Sequence, residues 1–275
     1  MPSEAQSIEE VLCEIRDRTR SLFLHQKLLN GVCNSLRAME RLAAYERLCA
    51  AGKEPEEALT NDDITKADKL AVMRSYLDVT QIEAGLERVK KDEKKAIEKL
   101  VKKLPIRYWV TNTRGIGFDG VGIMLGIAGD PSNYSSYRKM VKFLGIAPRP
   151  AYYSPEHGKN LVPVHRRSNV LYWVGQGANA GNNYGDIYDK EKIASAERHP
   201  EWETDPKPTW EKNNFTPAHR YALLRSRQAM VRDLWFAWRA IVVNGMDYRE
   251  VLQLQGQKSW YEYHENRERL LGNVR

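Results

Sequence analysis

The chain's 275 residues, 42% of them hydrophobic, suffice for one or two domains with a real core. A net charge of +7 favours a polyanionic partner, though mildly for this length. No apolar run is long enough to span a bilayer, no charged-then-apolar leader opens the chain, and Cys13, Cys33 and Cys49 lack CxxC spacing. We therefore expect a cytoplasmic protein with no membrane span, disulfide framework or zinc site.

The patterning is helical throughout, and an all-α fold is expected: a helical hairpin or coiled-coil stalk over 1–104, a compact helical domain over 105–248 and a polar tail over 249–275. The first helix should cover 7–50. Ser7 and Glu10 have the spacing of a capping box, and Ile8, Ile15, Leu22, Leu29, Leu36 and Ala43 recur at sevens, the repeat of a coiled coil. The companion positions are mixed, with Leu12 and Cys33 apolar but Thr19, Gln26 and Glu40 polar. The partner is either the next helix, packed antiparallel, or a second copy. Gly52 and Pro55 break the pattern, and a second helix is expected from about Asp62 to Lys103 on Leu70, Met73, Leu77, Leu86, Val89, Ile97, Leu100 and Leu104. Its run KKDEKKAIEKLVKK reads most simply as a solvated face laced with i,i+4 pairs, with a nucleic-acid contact as the alternative, and Pro105 ends it.

Residues 107–148 read as helix, glycine bend, helix, turn, helix. In Gly115-Ile116-Gly117 the glycines tolerate positive φ and, lacking side chains, let main-chain N–H groups touch a bulky anion such as phosphate. The alternative is an ordinary tight αα turn. Gly120, Gly122 and Gly126 each cost a helix about 1 kcal/mol, so close packing against another backbone is expected there. Gly129 and Asp130-Pro131 stop that helix; Ser135 or Ser136 should cap the next, and Gly145 should close it.

Residues 146–167 hold four prolines and the run His165-Arg166-Arg167, and read as an irregular loop. Between 136 and 175, Arg138, Lys139, Lys142, Arg149, Lys159, Arg166 and Arg167 face the single acid Glu156. Helices are then expected from Ser168 and over YGDIYDKEKIASAERH, followed by a proline-rich surface loop from His199 to Pro217. A long last helix should run to about Asn244, with Leu223, Arg227, Met230, Leu234, Trp238 and Ile241 on its inner face. On another face Arg225, Arg232 and Arg239 recur at sevens. They suit bidentate phosphate clamping, or else lie on a solvated surface or pair with acids of the N-terminal helices. Trp173, Trp235 and Trp238 sit at helical positions and read as core rather than as base-stacking groups. The six histidines show no metal spacing, and no cofactor is evident.

The bend resembles the helix-hairpin-helix module of DNA repair and recombination proteins. With GIG, GDPSNYSS and LGIAP in order, the run is similar to the C-terminal half of the insertion-sequence one-ten (one-ten/one-sixteen/nine-oh-two) transposase family, over roughly residues 80–240. Phe118 and Asp119 stand where such hairpins usually carry a cation or small hydroxyl; Asp119 would either repel a phosphate or cap the helix, and Arg114 with Arg138, Lys139 and Lys142 would have to supply the charge. The resemblance implies a DNA-binding protein of a mobile element or phage, in which Ser154, the serine following LGIAP, attacks a DNA phosphate with His157 and Lys159 beside it. It also implies an RNase H-like acidic domain. Residues 1–100 read as helix instead, so that domain and its Mg would have to come from a partner in trans. DNA, a guide RNA and a second copy are the partners in view, and Ser154 read by itself is an ordinary turn residue before proline. Two other classes stand beside the recombinase: a non-catalytic architectural or regulatory nucleic-acid binder, and a scaffold whose purpose is the stalk.

Overall fold

The structure, a computed structural model, describes residues 6–52, 64–147, 183–200 and 217–256. Among them every regular element is a helix, as the periodicity demands. In chain order these are α1 (Ile8–Ala50), α2 (Lys66–Ser75), α3 (Leu77–Val101), α4 (Arg107–Asn112) and α5 (Phe118–Ala128). A 3₁₀ turn (Pro131–Asn133), α6 (Tyr137–Phe143), α7 (Asn183–Arg198), α8 (Pro217–Ala237), a π-helical turn (Trp238–Val243) and α9 (Tyr248–Gly256) follow. None of the described helices is long and apolar enough to cross a membrane.

The chain divides into two compact units, residues 20–96 and residues 1–19 with 97–275. The division falls inside α1 and α3 rather than at 104/105. In the 20–96 unit the pairing is antiparallel: Ser21 Oγ donates to Glu93 Oε1 at 2.8 Å, Cys33 Sγ to Glu83 Oε1 at 3.2 Å, and Arg47 Nε to Asp68 Oδ1 at 3.0 Å. As the first partner advances along α1, the second retreats along α3 and α2. The sevens of α1 supply the buried seam, with Leu22, Leu29 and Leu36 at 0, 3 and 8% exposure. The capping box forms as spaced, Ser7 N–H donating to Glu10 Oε2 and Glu10 N–H to Ser7 Oγ.

The second helix departs from expectation. It starts at Lys66 under a capping box of Thr65 and Asp68, and it breaks at Tyr76, whose φ of −125° and ψ of 45° leave the helix. Asp68 fixes that start because its carboxylate accepts from the Thr65 N–H and hydroxyl and from Arg47. Burial alone would raise its carboxyl, but the bonds from Arg47 and Thr65 outweigh burial and hold it below the usual carboxylate range. Leu70, Met73 and Val89, read as part of one apolar period, are exposed, and Val72 is the buried apolar residue of α2 beside Asp68.

The other unit has a tryptophan-rich core: Trp109, Trp235, Phe236 and Trp238 are all at most 2% exposed. Trp173 lies outside the described residues. Two of the three α5 glycines are closely packed, but against side chains and not against another backbone. A Cβ on Gly122 would lie 2.1 Å from Ile97 Cγ2, and one on Gly126 would lie 2.1 Å from Thr19 Oγ1, whereas Gly120 has nothing within 4 Å. Residues Tyr248–Gly256, reaching into the tail from Arg249 that the sequence left unassigned, form α9. Its Gln255 accepts a hydrogen bond from Trp109 Nε1 at 2.6 Å and donates to the Asp233 carbonyl at 3.1 Å.

Candidate nucleic-acid interface

The glycine bend joins α4 to α5 at the protein surface. Gly115 has φ of 89°, a conformation that any side chain would strain, and it turns the chain after Arg114. Ile116 is 9% exposed and pins the bend to the core, while Arg114 and Gly117 on either side are exposed. Gly117 is the N-cap residue of α5, with φ −94° and ψ 159°, so its need for glycine is not conformational. The reason lies in Asp119: a Cβ at Gly117 would come within 2.6 Å of Asp119 Oδ1. That oxygen accepts from the Gly120 N–H at 2.8 Å, so Asp119 occupies one donor of the first turn. Among the described residues, the main-chain N–H groups of Gly117 and Phe118 are taken by no carbonyl or carboxylate. Lys102 Nζ, from the run read as a solvated face, stands 5.1 Å over the Phe118 ring, a cation beside the bend.

Of the α6 cations, Arg138, Lys139 and Lys142 are all exposed, with Arg138 6.0 Å over the Tyr137 ring. Ser136 occupies the N-cap position of α6 without a side-chain cap bond, and Gly145 closes the helix at φ 75°.

The three arginines at sevens are engaged inside their own domain. Arg225 Nε lies 3.4 Å from Glu191 Oε1 and its Nη1 donates to Gln228 Oε1 at 3.1 Å. Arg232 is 7% exposed and binds Asp233 Oδ1 at 2.7 Å. Burial raises the Asp233 carboxyl, against the pull of Arg232 and of the Tyr184 hydroxyl. Arg239 lies 5.1 Å over the Trp235 ring, with Nη1 3.4 Å from the carbonyls of Ser132 and Tyr134. The acids met by Arg225 and Arg232 are Glu191 and Asp233, both of the same domain.

Ser154, His157, Lys159, Arg166 and Arg167 lie outside the described residues. The described chain on either side of them is tied to α8. Gln228 Nε2 donates to the Ile146 carbonyl, and Ser226 Oγ donates to the Tyr184 carbonyl at 2.9 Å.

Two groups escaped the sequence reading. At the α4/α9 junction Tyr108 and Tyr248 stack with centroids 5.3 Å apart, Arg107 lies 4.5 Å over the first ring and Arg249 5.5 Å over the second. Cations interleaved with aromatic rings, here the exposed Tyr108 and the half-buried Tyr248, are suited to nucleic acid, but the residues are remote in sequence and only the fold assembles them. The second group is Arg227, whose buried Nε has no hydrogen-bond partner among the described residues. Burial without an opposing charge pulls its guanidinium down to about 10, still protonated at neutral pH. The signal was present: an arginine on a face otherwise made of Leu223, Met230, Leu234 and Trp238.

These features define an all-α protein with a glycine bend and basic helices at the surface of its larger unit. No family model, no curated protein and no solved structure matches the chain.

Proposed function

We propose that the protein grips the phosphate backbone of duplex DNA, as a transposase-type DNA-binding protein of a mobile element or phage. The observation that carries this reading is the surface bend Gly115-Ile116-Gly117, flanked by exposed Arg114 and followed by two untaken N–H groups. The contact set is Arg114, the bend's main chain, Arg138, Lys139 and Lys142, with Lys159, Arg166 and Arg167 added from sequence. Arg225, tied to Glu191, contributes less, and Arg232, buried on Asp233, is left out. The transposase class rests on the order of the GIG, GDPSNYSS and LGIAP motifs.

The test is fluorescence anisotropy on short duplexes of unrelated sequence across a salt series. Affinity should fall steeply with salt, and Arg114→Ala or Lys139→Ala should weaken it about equally on all sequences, each reducing the salt slope by about one. Binding that is absent, or indifferent to salt, rejects the grip.

A second reading, a grip without chemistry, is favoured by the helices α1 to α3, which offer no cluster of acids for nuclease chemistry among the described residues. Incubation with element ends and a nuclease-domain partner separates the two readings. A covalent protein–DNA adduct lost in Ser154→Ala marks the recombinase; its absence marks the architectural protein. A second copy is the proposed partner of α1, where exposed Leu24, Leu28 and Leu42 lie away from the buried sevens. Sedimentation of Leu28→Lys against wild type reads that directly.

A further inference from the structure

The 20–96 unit carries an apolar face that its own packing leaves open. Consecutive helical residues stand about 100° apart, so Ser21, Leu24, Leu28 and Ser35 form one stripe of α1, turned away from the buried Leu22, Leu29 and Leu36. By the same spacing Ile82, Val89 and Glu93 form one stripe of α3. The hydrogen bond from Ser21 Oγ to Glu93 Oε1 joins the two stripes on one side of the hairpin. Exposed Leu24, Leu28 and Leu42 therefore share a face with exposed Ile82 and Val89. In it lies a hollow of about 580 Å³, walled by Leu28, Gly31, Val32, Ser35 and Met39 of α1 and by Val79 of α3. Gly31 and Gly85, both inside helices and each weakening its own, would put a Cβ into open space, whereas Gly122 is packed on Ile97.

We infer that this face docks on the same face of a second copy, the two hairpins closing into a four-helix bundle. The inference rests on the pairing of α1 with a second copy proposed above, and it brings α3 into that contact. The period names a helical occupant: Leu28, Ser35 and Leu42 recur at sevens, as do Ile82, Val89 and Ala96, which keeps one side of each helix in step with a packed partner. The area suffices for a stable pair. From Leu24 to Leu42 the face is about 28 Å long, and two helices make it about 20 Å wide. Two copies joined across it bury about 1,100 Å², above the roughly 1,000 Å² that a specific interface needs. The relief is complementary to itself as well. A two-fold axis passing between Gly31 and Val32 puts Leu28 opposite the partner's Ser35. Because Cys33 bonds to Glu83, the same axis crosses α3 near Glu83 and brings Ile82 close to the partner's Gly85. Large side chains thus meet small ones on both helices.

Sedimentation velocity of the full chain over a concentration series, without nucleic acid, tests the bundle. The wild type should run as a dimer that dissociates on dilution. Leu28→Lys and Ile82→Lys should each weaken association at least tenfold, with helical circular dichroism retained because both side chains are exposed in the single chain. Gly31→Leu fills the hollow without touching its own chain, so it should keep the helix content and lose the dimer. Ile193→Lys, at an exposed apolar residue of the other unit, should leave the dimer as it is. A dimer that survives Ile82→Lys but not Leu28→Lys overturns the four-helix face and leaves the pairing along α1 standing. A dimer that survives both lies elsewhere, and overturns the two together. A wild type that stays monomeric at every concentration does the same; a lower Tm for Leu28→Lys in that case would mean that another part of this chain covers the face.

Discussion

Gly126 and Gly120 stand two turns apart on one helix and should respond to alanine with opposite signs. At Gly126 the new methyl meets the rigid, buried Thr19 side chain, 1% exposed, so overpacking of about 1–3 kcal/mol exceeds the roughly 1 kcal/mol gained in helix propensity. At Gly120 nothing stands within 4 Å and the propensity gain remains. Urea midpoints of Gly126→Ala and Gly120→Ala should therefore move down and up from wild type. The sequence marked all three α5 glycines as close approaches because each costs a helix; it could not show that only two face another element. Asp68 makes a different prediction. Its folded carboxyl titrates below the unfolded value of about 4, so its contribution is complete above that value and is lost as pH falls through the folded one. Asp68→Asn should cost about 2 kcal/mol at neutral pH, and the gap to wild type should close as the buffer is taken towards pH 3.

At the scale of the element, α1 was the most legible part of the chain. Its strict sevens put Leu22 and Leu29 in the seam, and truncating either to alanine should cost about 2–5 kcal/mol in denaturant titrations. Leu24→Ala, at a position 56% exposed, should leave the midpoint within about 0.5 kcal/mol of wild type. The break at Tyr76 was invisible because helical periodicity continues on both sides of it, and no glycine or proline marks the junction. The start of α2, by contrast, is fixed by the Thr65–Asp68 box together with the bond from Arg47, a partner distant in sequence.

For the whole molecule, spacing on a helix reports which residues share a face and not what the face meets. Arg225, Arg232 and Arg239 are spaced as well for phosphate as for Glu191, Asp233 and Trp235, and only the packed structure distinguishes the two. The surface cations Arg138 and Lys139, by contrast, sit where the low local acid content of the sequence suggested. The π-helical turn from Trp238 to Val243 adds one last consequence. There the Asn244 N–H reaches back to the Arg239 carbonyl at 3.0 Å, one residue further than in an α-helix. That wide coil absorbs one residue more than an α-helix needs for the same sweep, because six residues at about 4.4 per turn rotate through nearly the angle of five α-helical ones. Deleting Ile241 should therefore let the ordinary helix resume with the downstream chain still in phase. Val251 should keep its buried seat and Gln255 its bond to the Trp109 indole. The indole proton of Trp109 should then hold its place in the amide–nitrogen correlation spectrum, whereas deleting Ala229 from the regular part of α8, where no residue is spare, should move it.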